Sequence, residues 1–411
     1  MSVVITSLTQ TIKDNKLIKI VDQTDKLRCF SYRSDFLDSP EYSNLSGESL
    51  QNILDCKGII LDENDGVVLR SFPHTPEYSV NDRESYIHLF EDVSSLKFFK
   101  SHEGCLLRMF WYSNMWYVST HRKLNSFESR WGGTKSYGTI FKEALFHLYD
   151  SDDNFKDMLN KNNTTTSTFG KFCNILDKNR QYMFLLKNTS DNRIICDTLP
   201  FSSFLHVATV IDGKMNLEDD IGVPKPEQIH LNTYDEIVSY VNNEIDIKRN
   251  PGIIAFVNGN NPIKISNDAY MCLKSVRGNE PSINFRYLQL RSECNTDYID
   301  KLVRLYPESN DDFKMYETML SDIISNVHQC YMNKFVHRNK ELVIPSYKYN
   351  IIRTAHSWFV EDRDNRKVTR DIINAIVDDM TASSLNFIIK RWKTEQYQSF
   401  DVKTDRPTRM L

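Results

Sequence analysis

Between residues 98 and 131 two runs rich in apolar and aromatic side chains lie on either side of a short polar pair. Leu106, Arg108, Phe110 and Tyr112, then Trp116, Val118 and Thr120, flank Ser113-Asn114, a pattern that predicts two strands joined by a short turn. A second hairpin is predicted where Gly58 to Leu61 and Val67 to Leu69 flank Glu63-Asn64-Asp65-Gly66, with Pro73 and Pro76 ending its second strand. The run QYMFLLKNTSDNRIICD from Gln181 reads as two strands around Asn188 to Asn192, and SFLHVATVIDGKM as a strand with a turn at Asp212-Gly213. NPGIIAFVNGNNPIKIS is again strand, turn, strand, connected through Asn258-Gly259-Asn260-Asn261. Residues 1 to 50, with the aromatic stretch Cys29-Phe30-Ser31-Tyr32, form a small α+β lead-in.

Helical spacing replaces this alternation in two places. From Tyr137 the residues Ile140, Phe141, Leu145, Phe146 and Leu148 share one broad face, and a polar loop at 161 to 167 follows downstream. Beyond Arg291 the series Phe313, Tyr316, Leu320, Ile323, Ile324, Val327, Tyr331, Phe335 and then Ile372, Ile373, Ile376, Val377, Met380 predict helices only. The change of period places a boundary between 292 and 300. Residues 1–292 are then an α+β domain with antiparallel sheets and residues 300–411 an all-helical one, ending in a loose tail at 401 to 411.

Composition is consistent with this division, since 411 residues exceed what one core normally serves and 40% apolar content supplies two. The net charge of −4 gives no global attraction to nucleic acid, so any such binding needs a local basic face. Eight cysteines are scattered without a C-x-x-C pair, which predicts reduced thiols in an intracellular, cytoplasmic setting rather than a zinc site or disulfides. No signal peptide or membrane span is recognisable. Enrichment in Asn, Lys, Ile and Tyr fits an AT-rich coding genome such as that of a large DNA virus.

Candidate chemistry concentrates at the first hairpin. Glu103-Gly104 opens a strand with Lys100 just upstream, and His121-Arg122-Lys123 closes the hairpin. Glycine lets a backbone approach a ligand, and a neighbouring lysine or carboxylate can attack, hold a ribose or bind metal. The blander alternative is a core hairpin with a solvated basic end.

Motif order carries the argument further. Asp55-Cys56-Lys57-Gly58-Ile59-Ile60 followed by Arg70-Ser71-Phe72-Pro73, then Glu103-Gly104, Asp191-Asn192-Arg193-Ile194-Ile195 and Pro262-Ile263-Lys264-Ile265 resemble, in sequence order, motifs of the phage-type, tRNA-repair RNA ligases. These belong to the covalent nucleotidyltransferase superfamily. The resemblance spans roughly residues 50 to 290. It implies an antiparallel-sheet nucleotidyltransferase (ATP-grasp-like ligase) domain followed by a helical one, with ATP and Mg2+ as cofactors if the protein is active and RNA as partner. It further implies nucleotide or phosphate binding by Lys57, Glu103, Gly104, Lys264 and Lys274, and RNA contacts from Arg122, Lys123 and Arg277. The stretch Lys274 to Pro281 reads as a polar, turn-forming segment, either a phosphate-contacting loop or an interdomain connection. Trp111, Tyr112, Trp116 and Tyr117 are candidate stacking faces, and Arg363, Arg366, Lys367, Arg370 and the Lys390 to Lys393 cluster are candidates for gripping RNA. His328 and His337 have no ligand-spaced partner.

The motifs also depart from the family. Ser101 stands where the family's amine nucleophile belongs, with Lys100 one residue away and therefore on the other face of a regular strand. Phe184-Leu185-Leu186 replaces an acidic position, Pro251-Gly252 an E-G pair, and Pro262 the first lysine of the fifth motif. The leading expectation is a ligase-like protein degenerate in adenylyl transfer that binds RNA ends or serves as a scaffold for a protein partner, with no metal. An active ligase with Lys100 as its catalytic residue and Glu103 and Asp191 as carboxylates is the second reading. A structural or interaction protein without nucleotide binding is the third.

Overall fold

The computed structural model describes residues 12, 15–33, 35–70, 72, 74–90, 92–161, 165–257 and 261–404, without the side chains of 38, 48 and 397–404. Ser71, the strand-ending Pro73, residues 162–164 of the polar loop, Asn258 to Asn260 of the last connection and tail residues 405–411 lie outside the described residues. The chain divides into two compact units, Met1–Lys274 and Ser275–Leu411.

The first unit carries β1 (Ile18–Gln23), β2 (Leu27–Tyr32), β3 (Ile59–Asp62), β4 (Val67–Leu69), β5 (Glu77–Ser79), β6 (Lys97–Lys100) and β7 (Gly104–Tyr112). It continues with β8 (Met115–Ser119), β9 (Gln181–Lys187), β10 (Phe204–Ile211), β11 (Lys214–Asn216), β12 (Gln228–Ile229), β13 (Gly252–Val257) and β14 (Asn261–Ser266). Three sheets result, ordered β1-β2-β3-β4, β11-β10-β9-β7-β8 and β12-β6-β13-β14-β5, and only the β14–β5 pairing is parallel among the described strands. The hairpin turns follow from local chemistry. Ser113 and Asn114 have φ of 48° and 66°, and Asp212 and Gly213 of 50° and 73°, the left-handed pairs that a two-residue turn between twisted strands requires.

Each sheet has one face in a shared apolar core. Leu27, Cys29, Ile60 and Leu69 come from the first sheet, Phe110, Met183, Ala208 and Val210 from the second, and Phe99, Ile254 and Phe256 from the third. Alternation sends the intervening residues outward under helices. Phe30, Ile59 and Leu61 pack with Phe36 and Ile53, while Leu107, Met109 and Phe184 pack with Ile140, Phe141, Phe155 and Phe172. Phe98, Ile253 and Ala255 pack with Tyr86, Ile237 and Val241. Burying one such phenyl ring contributes about 2 kcal/mol.

Helix Tyr137–Ser151 starts where the Ser136 side chain accepts from Thr139 N–H and buries Ile140, Phe141 and Leu145, but Phe146, expected on that face, is 59% exposed. Two further expectations need correcting. Residues 193 to 196 form no strand, because the Ile195 and Cys196 N–H groups donate to the Glu103 carboxylate instead of to a neighbouring strand. The stretch from Lys274 is not a turn at its start, since Lys274 to Arg277 complete helix Asp268–Arg277 and Gly278, at φ +61°, follows it.

The second unit is helical, with Ile283–Ser292, Thr296–Leu305, Asn310–Tyr331, Ser346–Glu361, Arg370–Asp378 and Ala382–Thr404 as its α-helices of eight residues or more among those described. Phe313, Leu320, Ile323, Ile324, Val327 and Tyr331 are buried together with Ile373, Val377 and Leu385, the face that the 3.6 period predicts. Tyr287, Leu288 and Leu290 belong to this core, so the period change at 292 to 300 falls inside the unit. Arg291 ties it together, reaching Glu317 and Asp378 at 2.9 Å each. Residues 401–404 of the expected tail continue the last helix. All eight cysteines are free thiols. No helix among the described residues is long and apolar enough to cross a membrane.

Candidate functional site

The shared core opens into a cavity of about 210 Å³ between the second and third sheets. Phe99, Ser101, Ile254, Phe256 and Pro262 line it from one side, and Leu106, Leu185 and Val207 from the other. Lys57, Phe72, Thr75 and His121 are also in its wall, as are His102, Leu217, Lys225 and Pro226. Among the described lining residues there is no Asp or Glu.

Strand register decides which of two adjacent residues faces this space. Phe99 pairs with Ile254 and Lys100 with Ile253. Phe99 and Ile254 belong to the shared core, and Ile253 to the core on the opposite face of the same sheet. Ser101, two residues after Phe99, therefore shares the cavity face. It is 2% exposed, and its backbone is held by Gly252 O at 2.9 Å and Asn250 Nδ2 at 2.7 Å. Lys100 is in the cavity wall, but its ammonium reaches Glu227 at 2.8 Å. That hydrogen bond raises its pKa above the ordinary lysine value, the opposite of what a neutral amine nucleophile needs.

The other expected ligands are engaged elsewhere. Glu103 accepts from Ile195 N–H at 3.0 Å and Cys196 N–H at 3.1 Å. Burial raises its pKa despite these bonds and one to Tyr270. Gly104 serves pairing, because a Cβ there would collide with the Leu186 carbonyl of β9. Asp191 lines a separate depression with Lys135, Glu143 and His147, so Lys100, Glu103 and Asp191 do not converge.

Lys264 lies 2.9 Å from Glu77, and Lys274 pairs with the other oxygen of the same carboxylate. Burial pushes Glu77 up, but the two lysines outweigh it and hold the group at about 2. Lys123 sits 3.4 Å from Asp22. Arg277 belongs to the helical unit, buried with its guanidinium donating to the Glu280 carbonyl. Of the expected stacking faces, Tyr117 stacks on Phe110 at 5.2 Å, and Trp111 and Trp116 meet edge to face at 5.5 Å. Arg366, an expected RNA contact, bonds Glu361 and the Trp358 carbonyl.

Lys57 is thus the expected phosphate ligand that the fold places in the cavity wall. Gly58, at φ +74°, makes this possible, because a Cβ there would meet Arg108 Nη1 at 2.7 Å and His121 Cα at 3.0 Å. Arg108, fully buried, donates to the carbonyls of Gly58 and Thr120 and so clamps residues 57–58 against 120–122. Its place among Leu106 and Phe110 on an otherwise apolar strand face was the sequence signal for an internal guanidinium. His102 is held at about 4 by burial, aided by Lys187, and bonds Asn250 at 3.0 Å.

No family model matches the sequence. The chain is similar to the immediate-early protein ICP-46 homolog of Invertebrate iridescent virus 6, 27% identical over 346 residues that cover 79% of this chain and 74% of that protein. It is also similar to the immediate-early protein ICP-46 of Frog virus 3, 22% identical over 287 residues covering 66% and 67%. Structural neighbours are ATP-dependent RNA and DNA ligases. An archaeal ATP-dependent RNA ligase overlaps at a TM-score of 0.39 with 11% identity, covering 75% of this chain and 73% of that one. A putative ATP-dependent DNA ligase from Aquifex aeolicus overlaps at 0.36 with 10% identity, covering 75% and 72%. These overlaps are partial, and the geometry of the cleft stands without them.

Proposed function

We propose that this chain is an RNA ligase-like protein whose cleft no longer performs adenylyl transfer and which acts by holding RNA. The order of the motifs supports the ligase-like part. One observation carries the loss of transfer: Ser101 faces the cavity while the Lys100 ammonium is turned to Glu227. A serine hydroxyl, far less nucleophilic than a neutral amine, is a poor replacement for it.

Mg2+ and ATP do not fit this cleft either. Divalent magnesium needs oxygen ligands, with carboxylates among them, and the described wall has none. At about 210 Å³ the cavity is also smaller than the roughly 300–1,000 Å³ of usual ligand pockets. RNA contact rests on Arg122, which is exposed and makes no ion pair among the described residues, with Lys123 beside it.

Incubation with α-labelled ATP and Mg2+ tests the first part. No covalent label that survives denaturing gel electrophoresis is expected, and Lys100-dependent label would overturn the reading. Retention of single-stranded RNA across a salt series tests the second. Binding is expected to weaken with salt and to fall in Arg122→Glu/Lys123→Glu. Retention that ignores both would leave a structural or interaction protein instead.

A further inference from the structure

Helix Tyr137–Ser151 has two working faces. Ile140, Phe141, Ala144 and Leu145 share a core with Leu107, Met109 and Phe184 of the second sheet, whereas Glu143, Phe146, His147 and Asp150 recur at i, i+3, i+4 and i+7 on another side. Facing that side is the irregular segment of residues 198 to 202, and between them lies a depression of about 610 Å³. Its walls are tied together. The His147 ring stacks on Phe201 with centroids 3.9 Å apart and planes 6° from parallel, and the Ser202 hydroxyl donates to Glu143 at 3.4 Å. At one end Thr189 N–H donates to Asn192 Oδ1 at 2.7 Å, which fixes the turn carrying Ser190 and Asp191.

Three large apolar side chains stand open in these walls: Phe146 at 59%, Leu199 at 46% and Phe201 at 40% exposure. Scattered exposed apolar residues are ordinary, but several gathered in one concave place mark a contact surface. The charges among them are unequal, with Glu143, Asp150 and Asp191 against Lys135 alone. Lys135 is held by Glu143 at 2.8 and 3.0 Å, and Asp150 and Asp191 form no ion pair among the described residues. Such a rim repels a phosphate backbone, and it disfavours a second copy of a chain whose own net charge is −4. It attracts a cation with apolar flanks. Arginine meets both demands, because its planar guanidinium lies flat on aromatic faces such as Phe146 and Phe201 while pairing two-pronged with a carboxylate.

We infer that this groove is a docking site for a partner protein that presents an exposed, arginine-bearing segment with large apolar neighbours. Walls already fixed by the His147–Phe201 stack and the Ser202–Glu143 bond spare the site an ordering cost on binding. The groove shares no residue with the walls of the cleft. Loss of salt-dependent RNA retention would therefore overturn the proposed function and leave this site standing, and the reverse also holds.

A phage-displayed library of random dodecapeptides, selected on the full chain and counter-selected on the double variant Phe146→Ser/Asp150→Arg, is a direct test. Both residues are exposed, so the variants are expected to keep the wild-type circular dichroism spectrum. Enriched sequences are expected to place arginine beside leucine, phenylalanine or another large apolar residue. A fluorescein-labelled enriched peptide, read by fluorescence polarisation, is expected to bind at least about tenfold more weakly to Phe146→Ser and to Asp150→Arg taken singly. Its affinity for the wild-type chain is expected to fall with salt. No enrichment over the counter-selected variant, enriched sequences without arginine, or wild-type affinity in either single variant would overturn the site. A concentration-dependent dimer in gel filtration that Phe146→Ser dissolves would give the groove to a second copy of the chain, and would overturn the inference as well.

Discussion

Glu77 is a sharp place to test the electrostatics, because one carboxylate serves Lys264 and Lys274 together. Its side chain is 18% exposed, so solvent screening is modest. A carboxyl held at about 2 against an ordinary 4.5 differs by roughly 2.5 pH units, which at about 1.36 kcal/mol per unit corresponds to about 3 kcal/mol of folded-state stability. That figure is a ceiling, since burial lowers the Lys264 pKa in spite of Glu77, and desolvation therefore takes back part of the gain. The folded pKa is depressed, so the contribution is fully present above about pH 4.5 and is lost as pH falls towards 2. Glu77→Gln keeps the shape and removes the charge, with an expected loss of about 1–3 kcal/mol at pH 7. Urea unfolding at pH 7, 4.5 and 3 should show the wild-type chain losing stability over the acid window and Glu77→Gln losing less, so that the two curves converge. Parallel curves through that window would refute the assignment of Glu77 as the shared counter-ion.

Arg108→Met leaves the Gly58 and Thr120 carbonyls without their buried donor. A loss of about 2–4 kcal/mol is expected by urea unfolding, because residues 57–58 and 120–122 are no longer clamped. Gly252→Ala drives a Cβ into the Ile265 carbonyl of β14, and loss of the soluble folded chain is expected by circular dichroism and gel filtration. Ser101→Lys places an amine on the cavity face but brings no carboxylate with it. Adenylate labelling is expected to stay absent in that variant, and its appearance would show that one residue alone had disabled the chemistry.

Much of the architecture could be read directly from the chain. Alternation located the 106–118 hairpin, and residues tolerant of left-handed backbone marked the turns at Ser113-Asn114 and Asp212-Gly213. The 3.6 period picked out Phe313 to Tyr331 as one buried helical face. These are local signals, set by the covalent geometry of a few consecutive residues.

The site depended on contacts between residues far apart. That Lys100 and Ser101 point to opposite faces follows from the chain, but which face is the cleft was settled by pairing β6 with β13 and by stacking the third sheet against the second. Glu103 looked like a ligand until Ile195 and Cys196 were found donating to it across 92 and 93 residues. Lys264 and Lys274 looked free until Glu77 arrived from a strand almost two hundred residues earlier. A charge reads as available in one dimension because its partner is chosen in three. At Lys57, among the described residues that line the cavity, the fold brings no carboxylate.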